Sequence, residues 1–540
     1  MYDLLIKNGT CYDGHGGEPF QADLAIRDGL IAAMGASIGE GAEAARTIDA
    51  SGLAVAPGFI DTHSHSDLVA LVEPEIANKT TQGVTTDIIG QDGMSLAPVV
   101  PEHIEPWKKS MAGLEGQYPV DWDWRSAGEY LERLDAMKPA GGPSRGLGPN
   151  IAWLAPTGNL RMCVMGLENR PATQDEIAAM RELLEECVAQ GASGLSTGLI
   201  YPPSNYMSEE ELVCLTGVPA KYGLPFVIHQ RSEADDILNS MEEVFRICER
   251  SGCPLHFSHF KLCGQKNARL FDDVMRKLDE GGRRVPQLSF DQYPYAAGST
   301  TFSVILPPWA HDGGADKCLA RLADPEARAR MKRDIADGIL GWDNFVDFAG
   351  MENIFVTFVK TEKNADLVGK NMIEIGEMRG KEPLDACFDM LLEEELAVGL
   401  VDFYGLEEHV EAIMKHPLQN PCTDGILGAR PHPRVYGAFS RILGRYVREK
   451  KLMTLPEAIH KMTERPAAIF RLRNRGILDA GYAADVTIFD PETVIDRATY
   501  TDPMQYSAGV PYVIVGGRLV VDGSKVVKGK AGKALRFEKD

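Results

Sequence analysis

Two histidines separated by one residue, His63 and His65, follow an apolar stretch that begins at Pro57. Alternate residues of a strand point to the same side, so both imidazoles are placed to bind one metal ion. A lone pair of this kind is more often two packed or surface histidines. The interpretation as a metal site therefore depends on which other ligands the chain brings to the same place.

Two further histidines stand at the ends of other apolar stretches. His229 closes the run 225–229, and His259 closes the run 254–259. In a barrel of parallel strands the carboxyl ends converge on one pocket, so residues far apart in sequence meet there. The chain holds 12 histidines, and four at strand ends exceed what chance placement favours. The predicted metal ligands are therefore His63, His65, His229 and His259.

Carboxylates stand at two more strand ends, Asp92 after the second strand and Asp424 near the end of the barrel pattern. Each precedes a glycine, and an Asp-Gly pair is more often a turn. Imidazoles and a carboxylate with open positions also form catalytic zinc sites, where the metal lowers the pKa of bound water and polarises a carbonyl. A further carboxylate beside that water is the general base. We expect one or two Zn²⁺ ions, with another divalent metal as the alternative.

Short apolar runs alternate with helical stretches from about residue 55 to 475, which is the pattern of βα units and a parallel sheet. The fold class is therefore α/β, and the catalytic body is predicted to be a (β/α)₈ TIM-like barrel. Its eight predicted strands are 54–61, 85–90, 150–154, 194–197, 225–229, 254–259, 287–291 and 418–424.

The two ends of the chain share a different pattern of short strands and turns. Residues 1–54 carry hairpin signals at Asn8-Gly9 and Asp28-Gly29, and residues 476–540 continue in the same style. We expect both ends to form one small β-sandwich domain. A charged helical stretch at about 302–355 interrupts the barrel pattern, and we predict that it is a lid-like insertion.

The composition excludes several classes of protein. The chain has 540 residues, 44% of them hydrophobic, and 56 Lys+Arg against 78 Asp+Glu give a net charge of −22. This balance fits a globular protein and opposes a nucleic-acid partner, which needs a concentrated basic surface. The ten cysteines form no CxxC pair, which indicates reduced thiols. The chain shows no signal sequence and no apolar run of membrane length, so we expect a cytoplasmic protein without a membrane partner.

The strand-end arrangement resembles the amidohydrolase superfamily, whose PGFIDxHxH-like first strand is matched by Pro57–His65. Further motifs are similar to those of the N-acyl-D-amino-acid deacylase (D-aminoacylase) family, and the resemblance covers nearly the whole chain. These motifs are Gly83–Thr86, Gly194–Pro203, Ser258–Lys261, Tyr293–Thr300, His432–Gly437 and Gly481–Asp490.

The resemblance implies roles for individual residues. It makes Asp424 the catalytic acid/base, and the metal ligands that it implies are His63, His65, His229 and His259. The residues that it implies for holding the substrate's α-carboxylate are Lys261, Tyr293 or Tyr295, and Arg434. A cationic fork and a hydroxyl group suit a carboxylate in a partly dehydrated pocket. Taken alone, Arg434 fits a surface ion pair better.

Two positions depart from the family pattern. Relatives carry a zinc-binding cysteine at the end of strand two, where this chain has Asp92. A carboxylate can also bridge two metals, so Asp92 is a predicted ligand whose harder oxygen changes the metal preference. The segment 157–159 stands where many relatives have Gly-His-Gly, which bears on substrate scope more than on reaction type.

Two neighbours of the predicted ligands have two interpretations each, and a third has one. Arg231 and Glu233 either orient the strand-five ligand or form exposed ion pairs. His256 precedes His259 by three residues and lies on the other face of the strand, so we predict a packed or hydrogen-bonded core histidine.

Together these features predict a metal-dependent amidohydrolase that converts an N-acyl-D-amino acid to a carboxylate and a free D-amino acid, with metal-activated hydroxide as nucleophile. Hydrolysis of another amide at the same site is the alternative, for example a cyclic imide, a dipeptide-like amide or a secondary-metabolite amide. A non-catalytic scaffold is the alternative of a different class, which the complete ligand set disfavours. The expected partner is a small-molecule amide, and homo-oligomer formation is left open.

Overall fold

The computed structural model describes residues 1–38, 41–136, 146–529 and 531–539. The strands in these ranges are β1 (Tyr2–Cys11), β2 (Phe20–Arg27), β3 (Leu30–Gly35), β4 (Ala44–Asp49), β5 (Ala54–Pro57), β6 (Phe59–Asp61), β7 (Val84–Ile89), β8 (Asn150–Trp153), β9 (Ala155–Pro156), β10 (Leu195–Gly198), β11 (Phe226–His229), β12 (Leu255–Phe257), β13 (Leu288–Gln292), β14 (Gly298–Thr301), β15 (Ile354–Val359), β16 (Val398–Asp402), β17 (Gln419–Pro421), β18 (Val486–Phe489), β19 (Tyr512–Val515), β20 (Arg518–Asp522) and β21 (Lys525–Val526).

The α-helices follow in the same order. They are α1 (Ala77–Thr80), α2 (Ile104–Glu115), α3 (Ala127–Asp135), α4 (Thr157–Met165), α5 (Gln174–Ala189), α6 (Glu209–Ala220), α7 (Ile237–Ser251), α8 (Phe271–Gly281), α9 (Ala315–Ala323), α10 (Pro325–Asp337), α11 (Phe345–Ala349), α12 (Met372–Arg379), α13 (Pro383–Glu393), α14 (Glu407–Lys415), α15 (Arg434–Arg441), α16 (Leu455–Met462) and α17 (Glu464–Ile469). A π-helical stretch, Ile442–Glu449, continues α15.

Two parallel sheets form the centre of the molecule. One has the order β17-β13-β12-β11-β10-β9, and the other has the order β6-β7-β8. Their strands are almost wholly buried, as expected for parallel strands covered by helices on the outside. Seven of the eight strands predicted for this region are present with ends shifted by a few residues. The predicted strand 54–61 is divided into β5, which belongs to the sheet of the chain ends, and β6, which belongs to a central sheet.

The two parallel sheets meet at both of their edges. Only Leu154 separates β8 from β9. At the other edge Ser64 pairs with Gly425 in a parallel bridge, and Asp424 N donates to His63 O over 2.8 Å. The chain segments that carry the predicted ligands are therefore neighbours in space, although they come from opposite ends of the sequence.

Helix boundaries follow local chemistry. Helix α5 begins after Thr173, whose hydroxyl accepts from Glu176 N, and the Glu176 side chain accepts from Thr173 N in return. Helix α7 ends at Gly252, where a φ of 71° lets the chain leave the helix. These signals fix where the helices that pack around the central strands start and stop.

Both chain ends contribute to one nine-stranded sheet, in the order β21-β20-β19-β18-β5-β1-β2-β3 with β4 beside β1. Strand β5 joins the two halves, because it pairs in parallel with β1 and antiparallel with β18. Apolar side chains from both ends, including Ile6, Val55 and Ile488, share one buried cluster.

A long excursion separates β13 from β17. It contains the antiparallel sheet β14-β16-β15 and has its own buried apolar cluster, which includes Phe302, Met331 and Phe388. The irregular region thus runs from Gly298 to Asp402, well beyond the predicted interval 302–355. Among the helices in the described ranges, none is long and apolar enough to cross a lipid bilayer.

Candidate active site

The four predicted histidines surround the carboxylate of Asp92. The Asp92 Oδ1 atom lies 3.6 Å from His63 Nε2 and 3.7 Å from His259 Nε2. The Asp92 Oδ2 atom lies 3.5 Å from His65 Nε2 and 3.9 Å from His229 Nδ1. Each oxygen of Asp92 therefore faces two imidazoles, which is the arrangement that a bridging carboxylate requires.

Asp424 lies at the same centre, between two histidines and an arginine. Its Oδ1 atom is 3.4 Å from His65 Nε2 and 3.7 Å from His63 Nε2. Its Oδ2 atom accepts from Arg434 Nη2 over 2.9 Å. One oxygen thus faces the imidazoles while the other is held by a buried guanidinium.

Three overlapping sets of residues offer donor atoms for a metal ion, and within each set these atoms lie within 4.8 Å of one another. The sets are His63, His65 and Asp424; His63, Asp92 and His259; and His229, Glu233 and His259. Both ring nitrogens of His63 and the Oδ1 atom of Asp92 are buried without a hydrogen-bond partner in the described part of the chain. Such unpaired buried polar atoms are rare and costly, so this donor set fits a bound cation.

The electrostatics of the site also favour a cation. Burial would raise the pKa of Asp424, but the charge of Arg434 and the hydrogen bond from His65 outweigh it and hold the pKa below its ordinary value. Burial would lower the pKa of His65, but hydrogen bonds to Asp424 and Asp92 raise it to about 10. In contrast, burial lowers the pKa of His229 to about 4. The carboxylates therefore attract positive charge, while His229 is the neutral form that ligates metals.

Three of the central residues have backbone conformations that side-chain-bearing residues seldom adopt. The φ angles of His259, Asp92 and Asp424 are 34°, 55° and 45°. Left-handed conformations at non-glycine residues concentrate at functional sites, where surrounding structure maintains them. The sharp turn after each strand aims these side chains at one centre.

Glu233 lies beside the strand-five and strand-six histidines. Its Oε1 atom is 3.2 Å from His259 Nδ1, and its Oε2 atom is 2.7 Å from Lys261 Nζ. Lys261 Nζ also lies 2.7 Å from His259 Nδ1. Of the two interpretations for Glu233, the structure supports an orienting contact with the ligands. Arg231 instead pairs with Glu243 at 3.0 Å, away from the centre.

Asp291 supports the histidines from below. Its Oδ1 atom accepts from His259 N over 2.5 Å and lies 4.0 Å from His63 Nδ1. Its Oδ2 atom is 2.9 Å from His256 Nε2, and His256 Nδ1 is 2.8 Å from Ser289 Oγ. The prediction of His256 as a hydrogen-bonded core residue is confirmed. Asp291 was missed as a site residue, although its position at the end of a predicted strand was an available signal.

A buried lysine connects the first and last parallel strands. Lys79 Nζ donates to Asp61 and to Thr423 Oγ1 through short hydrogen bonds, and to Ser64 Oγ over 2.9 Å. Asp87 Oδ1 lies 3.6 Å away, and Thr423 N donates to Asp61 Oδ1 over 2.8 Å. Ser64 stands between the paired histidines and Thr423 precedes the catalytic candidate. This network therefore fixes the two segments against each other.

The structure separates the two tyrosines of the Tyr-Pro-Tyr run. Tyr293 contacts the site, because Arg434 lies 4.4 Å and Lys261 Nζ 5.7 Å from its ring centre. Tyr295 is directed elsewhere, with its hydroxyl 3.5 Å from Asp496 and its ring under Arg441. The prediction of Tyr295 as a substrate-binding alternative is therefore not supported. Strand β13 ends at Gln292 and Tyr295 N donates back to Tyr293 O, so strand alternation no longer applies.

The predicted carboxylate-binding residues and the histidines open into one cavity of about 470 Å³, which we call the reaction cavity. Among its lining residues are His65, Asp92, His229, His259, Lys261, Tyr293, Asp424 and Arg434. Sequence reasoning missed two further buried carboxylates in this lining, Asp343 and Asp402. Both come from the excursion, where no motif marks them.

The segment that replaces Gly-His-Gly lies beside the cavity. The Thr157 hydroxyl donates to Thr197 Oγ1 over 2.7 Å, and Asn159 Nδ2 donates to Ser95 O over 2.8 Å. Thr157 therefore contacts strand β10, and Asn159 contacts the loop that follows strand β7.

Comparison with known proteins identifies the class of this site. Residues 46–521 match the amidohydrolase family, and the chain belongs to that family. D-aminoacylase of Alcaligenes xylosoxydans xylosoxydans is 34% identical over 535 residues, which cover 99% of this chain and 97% of that protein. N-acyl-D-aspartate deacylase of the same organism is 33% identical over 541 residues, with coverage of 99% and 95%.

A solved structure extends the likeness to three dimensions. The crystal structure of N-acyl-D-glutamate deacylase from Bordetella bronchiseptica, complexed with zinc and a phosphonate inhibitor, matches with a TM-score of 0.82 and 32% identity. The match covers 99% of this chain and 100% of that chain. The resemblance on which the sequence prediction rested is thus confirmed, and the fold is the mixed α/β fold of these amidohydrolases.

Replacement of Lys79 tests the buried network. We expect Lys79→Met to lower the free energy of unfolding by about 3–5 kcal/mol, because it leaves two buried carboxylates without their cation. The matched control is Lys277→Met, which removes a partly exposed pair with Glu242 at 2.8 Å and should cost less than about 1 kcal/mol. Urea denaturation of both variants is the measurement. Equal, small losses would show that Lys79 does not hold the strands together.

Proposed function

We propose that the protein is a metal-dependent amidohydrolase that hydrolyses N-acyl-D-amino acids to a carboxylate and a free D-amino acid. The observation that carries this proposal is the joint placement of four imidazoles, two carboxylates and an arginine–lysine–tyrosine group around one cavity. Preference for the D enantiomer rests on the named activities of the relatives.

The architecture that supports the proposal has three parts. The parallel strands β6 to β13 and β17 close into a (β/α)₈ barrel, with β8 and β9 counted as one strand interrupted at Leu154 and the Ser64–Gly425 bridge as its seam. Residues 58–475 make up this barrel and its excursion. Residues 1–57 and 476–540 form the β-sandwich; the predicted boundary after residue 54 moves because β5 (Ala54–Pro57) belongs to the terminal sheet. The excursion is the lid. The cavity lies at the carboxyl ends of the barrel strands, where such enzymes carry their sites.

The metal is held by His63, His65, Asp92, His229 and His259 in this proposal. Zinc is the favoured ion, as one or two ions per chain, because the glutamate deacylase structure is complexed with zinc and the ligands are imidazole and carboxylate. When bound, such an ion supplies Lewis-acid activation of water and of the scissile carbonyl.

Asp424 moves the proton. Its pKa is held low by Arg434 and His65 against the effect of burial, so it is an anion at neutral pH. One of its oxygens faces the centre, where it accepts a proton from the attacking water and returns it to the leaving amine. Arg434 holds the other oxygen at 2.9 Å and so fixes the direction of transfer.

Arg434, Lys261 and Tyr293 bind the α-carboxylate of the substrate. The Nε and Nη1 atoms of Arg434 are buried and have no hydrogen-bond partner in the described ranges, so two donors of the guanidinium are available. The Tyr293 hydroxyl lies 2.7 Å from Tyr404 OH, which orients it. A buried arginine fork with spare donors is well suited to a carboxylate.

A hydrolysis panel tests the proposal directly. We expect release of amine from N-acetyl-D-amino acids and no release from the L enantiomers. Asp424→Asn should lower kcat by about 10²–10⁴-fold while its metal content is unchanged, because only proton transfer is removed. A fully metal-loaded enzyme that leaves the whole D panel intact would show that its substrate is a different amide.

Removal of the metal tests the ligand set. Dialysis against a chelator should abolish turnover and lower Tm, because an ion that binds only the folded protein stabilises it. Asp92→Ala should bind fewer ions per chain, as measured by mass spectrometry of the metals. Full activity and an unchanged Tm after chelation would rule out a metal enzyme, and substoichiometric metal with no activity would indicate a scaffold.

Paired tyrosine variants test carboxylate binding. Tyr293→Phe should raise KM about tenfold with little change in kcat, because one hydrogen bond worth about 1–1.5 kcal/mol is lost in both the ground state and the transition state. Tyr295→Phe removes an equivalent hydroxyl outside the reaction cavity and serves as the matched control. The assignment is wrong if Tyr295→Phe has the larger effect on KM.

A further inference from the structure

A second cavity adjoins the reaction cavity on the side of the excursion. We call it the side cavity; its volume of about 820 Å³ includes space open to solvent, and it shares Ile200, Tyr201, Asp343 and Phe345 with the reaction cavity. The Tyr201 ring lies 5.4 Å from the ring of His229, edge to face. The side cavity therefore begins one side chain away from the metal ligands.

Most of the side-cavity wall is apolar. Leu114 and Ile200 come from the barrel side, and Leu306, Trp342 and Phe345 come from the excursion. Among the described lining residues, Asp343 carries the only acidic side chain, and burial raises its pKa to about 7. His311 also lines the cavity, but burial lowers its pKa to about 4 and keeps it neutral.

Asp343 is a fixed part of this wall. Its Oδ1 atom accepts from Ser232 Oγ over 2.6 Å, and its Oδ2 atom accepts from Glu233 N over 2.7 Å. The carboxylate therefore stays at the junction of the two cavities, where an acidic group of a ligand would meet it. Neither Lys nor Arg lines the side cavity in the described ranges, and the two cations of the reaction cavity are Lys261 and Arg434.

In the order of the parallel strands, β11, which carries His229, lies between β10, which leads to the side cavity, and the strands that lead to the carboxylate-binding residues. Lys261, Tyr293 and Arg434 follow the last three parallel strands of the sequence, β12, β13 and β17, whereas Ile200 and Tyr201 follow β10. A substrate anchored by its α-carboxylate, with its amide at the centre, therefore directs another substituent towards the side cavity.

We propose that the side cavity binds a large, uncharged, apolar substituent of the substrate, and that N-acyl-D-amino acids with acidic side chains are poor substrates. This inference rests on the proposed deacylase function. Apolar walls gain free energy when they exclude water around an apolar group. An acidic group there would lose its hydration beside the Asp343 carboxyl, and no lysine or arginine lines the side cavity in the described ranges to compensate its charge. The relatives named for D-aspartate and D-glutamate thus differ from this chain in selectivity.

The substituent has two sources, the amino-acid side chain or the acyl group, and four substrates distinguish them. We expect kcat/KM for N-acetyl-D-phenylalanine or for N-benzoyl-D-alanine to exceed that for N-acetyl-D-alanine by at least about tenfold. Whichever of these two substrates shows the higher kcat/KM identifies the group, side chain or acyl, that occupies the side cavity. N-acetyl-D-glutamate should be at least about 100-fold poorer than the best substrate.

Variants that fill the cavity test its assignment. Val304 lines the side cavity but not the reaction cavity, and it is half-buried. Val304→Trp should therefore remove the advantage of the large substrate and leave turnover of N-acetyl-D-alanine unchanged. Val304→Ala is the matched control and should keep the advantage. Ser110→Phe fills the same space from helix α2 and replaces Val304→Trp if that variant fails to fold. Asp343→Asn should raise the relative rate on N-acetyl-D-glutamate.

The outcomes separate this inference from the deacylase proposal. Cleavage of N-acetyl-D-alanine and N-acetyl-D-glutamate as fast as both large substrates would overturn the inference and leave the deacylase function standing. Loss of activity on all four substrates equally in both filling variants, with folding intact, would also overturn it. Cleavage of none of the four by the metal-loaded wild type would overturn the deacylase function itself.

Discussion

The site depends on the compensation of buried negative charge. Asp92 and Asp424 are 2% and 5% exposed, and a carboxylate withdrawn from water is costly unless it is paired. Arg434 compensates one oxygen of Asp424, and imidazoles face the remaining oxygens of both carboxylates. Lys79 compensates the negative charge of Asp61 in the same way. A barrel selected for stability alone would fill such positions with apolar side chains, since that replacement is often neutral or stabilising. The retained charges therefore mark the positions where chemistry requires them.

Compensation works only if the charged groups stay close together, and the backbone provides this. Each left-handed residue at Asp92, His259 and Asp424 carries strain of roughly 1–3 kcal/mol. Rigid neighbours must maintain it. Asp291 accepts from the backbone of His259, and the Lys79 network holds the segment before Asp424 against the segment that carries His63 and His65. Charge pairing and strained turns thus support each other, because the buried network fixes the turns that bring the charges together.

Residues whose position follows from strand periodicity could be predicted from the sequence. Residues whose position depends on tertiary contacts could not. The strand-end histidines and Asp424 were predictable, because parallel strands present their carboxyl ends together. Lys79 was not, since it lies in a four-residue helix and its partners come from three distant segments. The choice between Tyr293 and Tyr295 could not be made from the sequence, because a tight turn follows Gln292. The excursion was predicted too short, because the prediction rested on one charged helical stretch, whereas the excursion goes on through β15, α12, α13 and β16.

The excursion is more than a cover over the barrel. Through Asp343 it accepts hydrogen bonds from Ser232 and from the backbone of Glu233, and the Glu233 side chain in turn holds Lys261 at 2.7 Å. Without the excursion that loop would lose its acceptor. The excursion therefore helps to position Lys261, the proposed carboxylate-binding cation, which also contacts Nδ1 and O of His259. Binding energy from a substituent in the side cavity then acts on the same contacts that position the reacting amide, and this couples selectivity to catalysis.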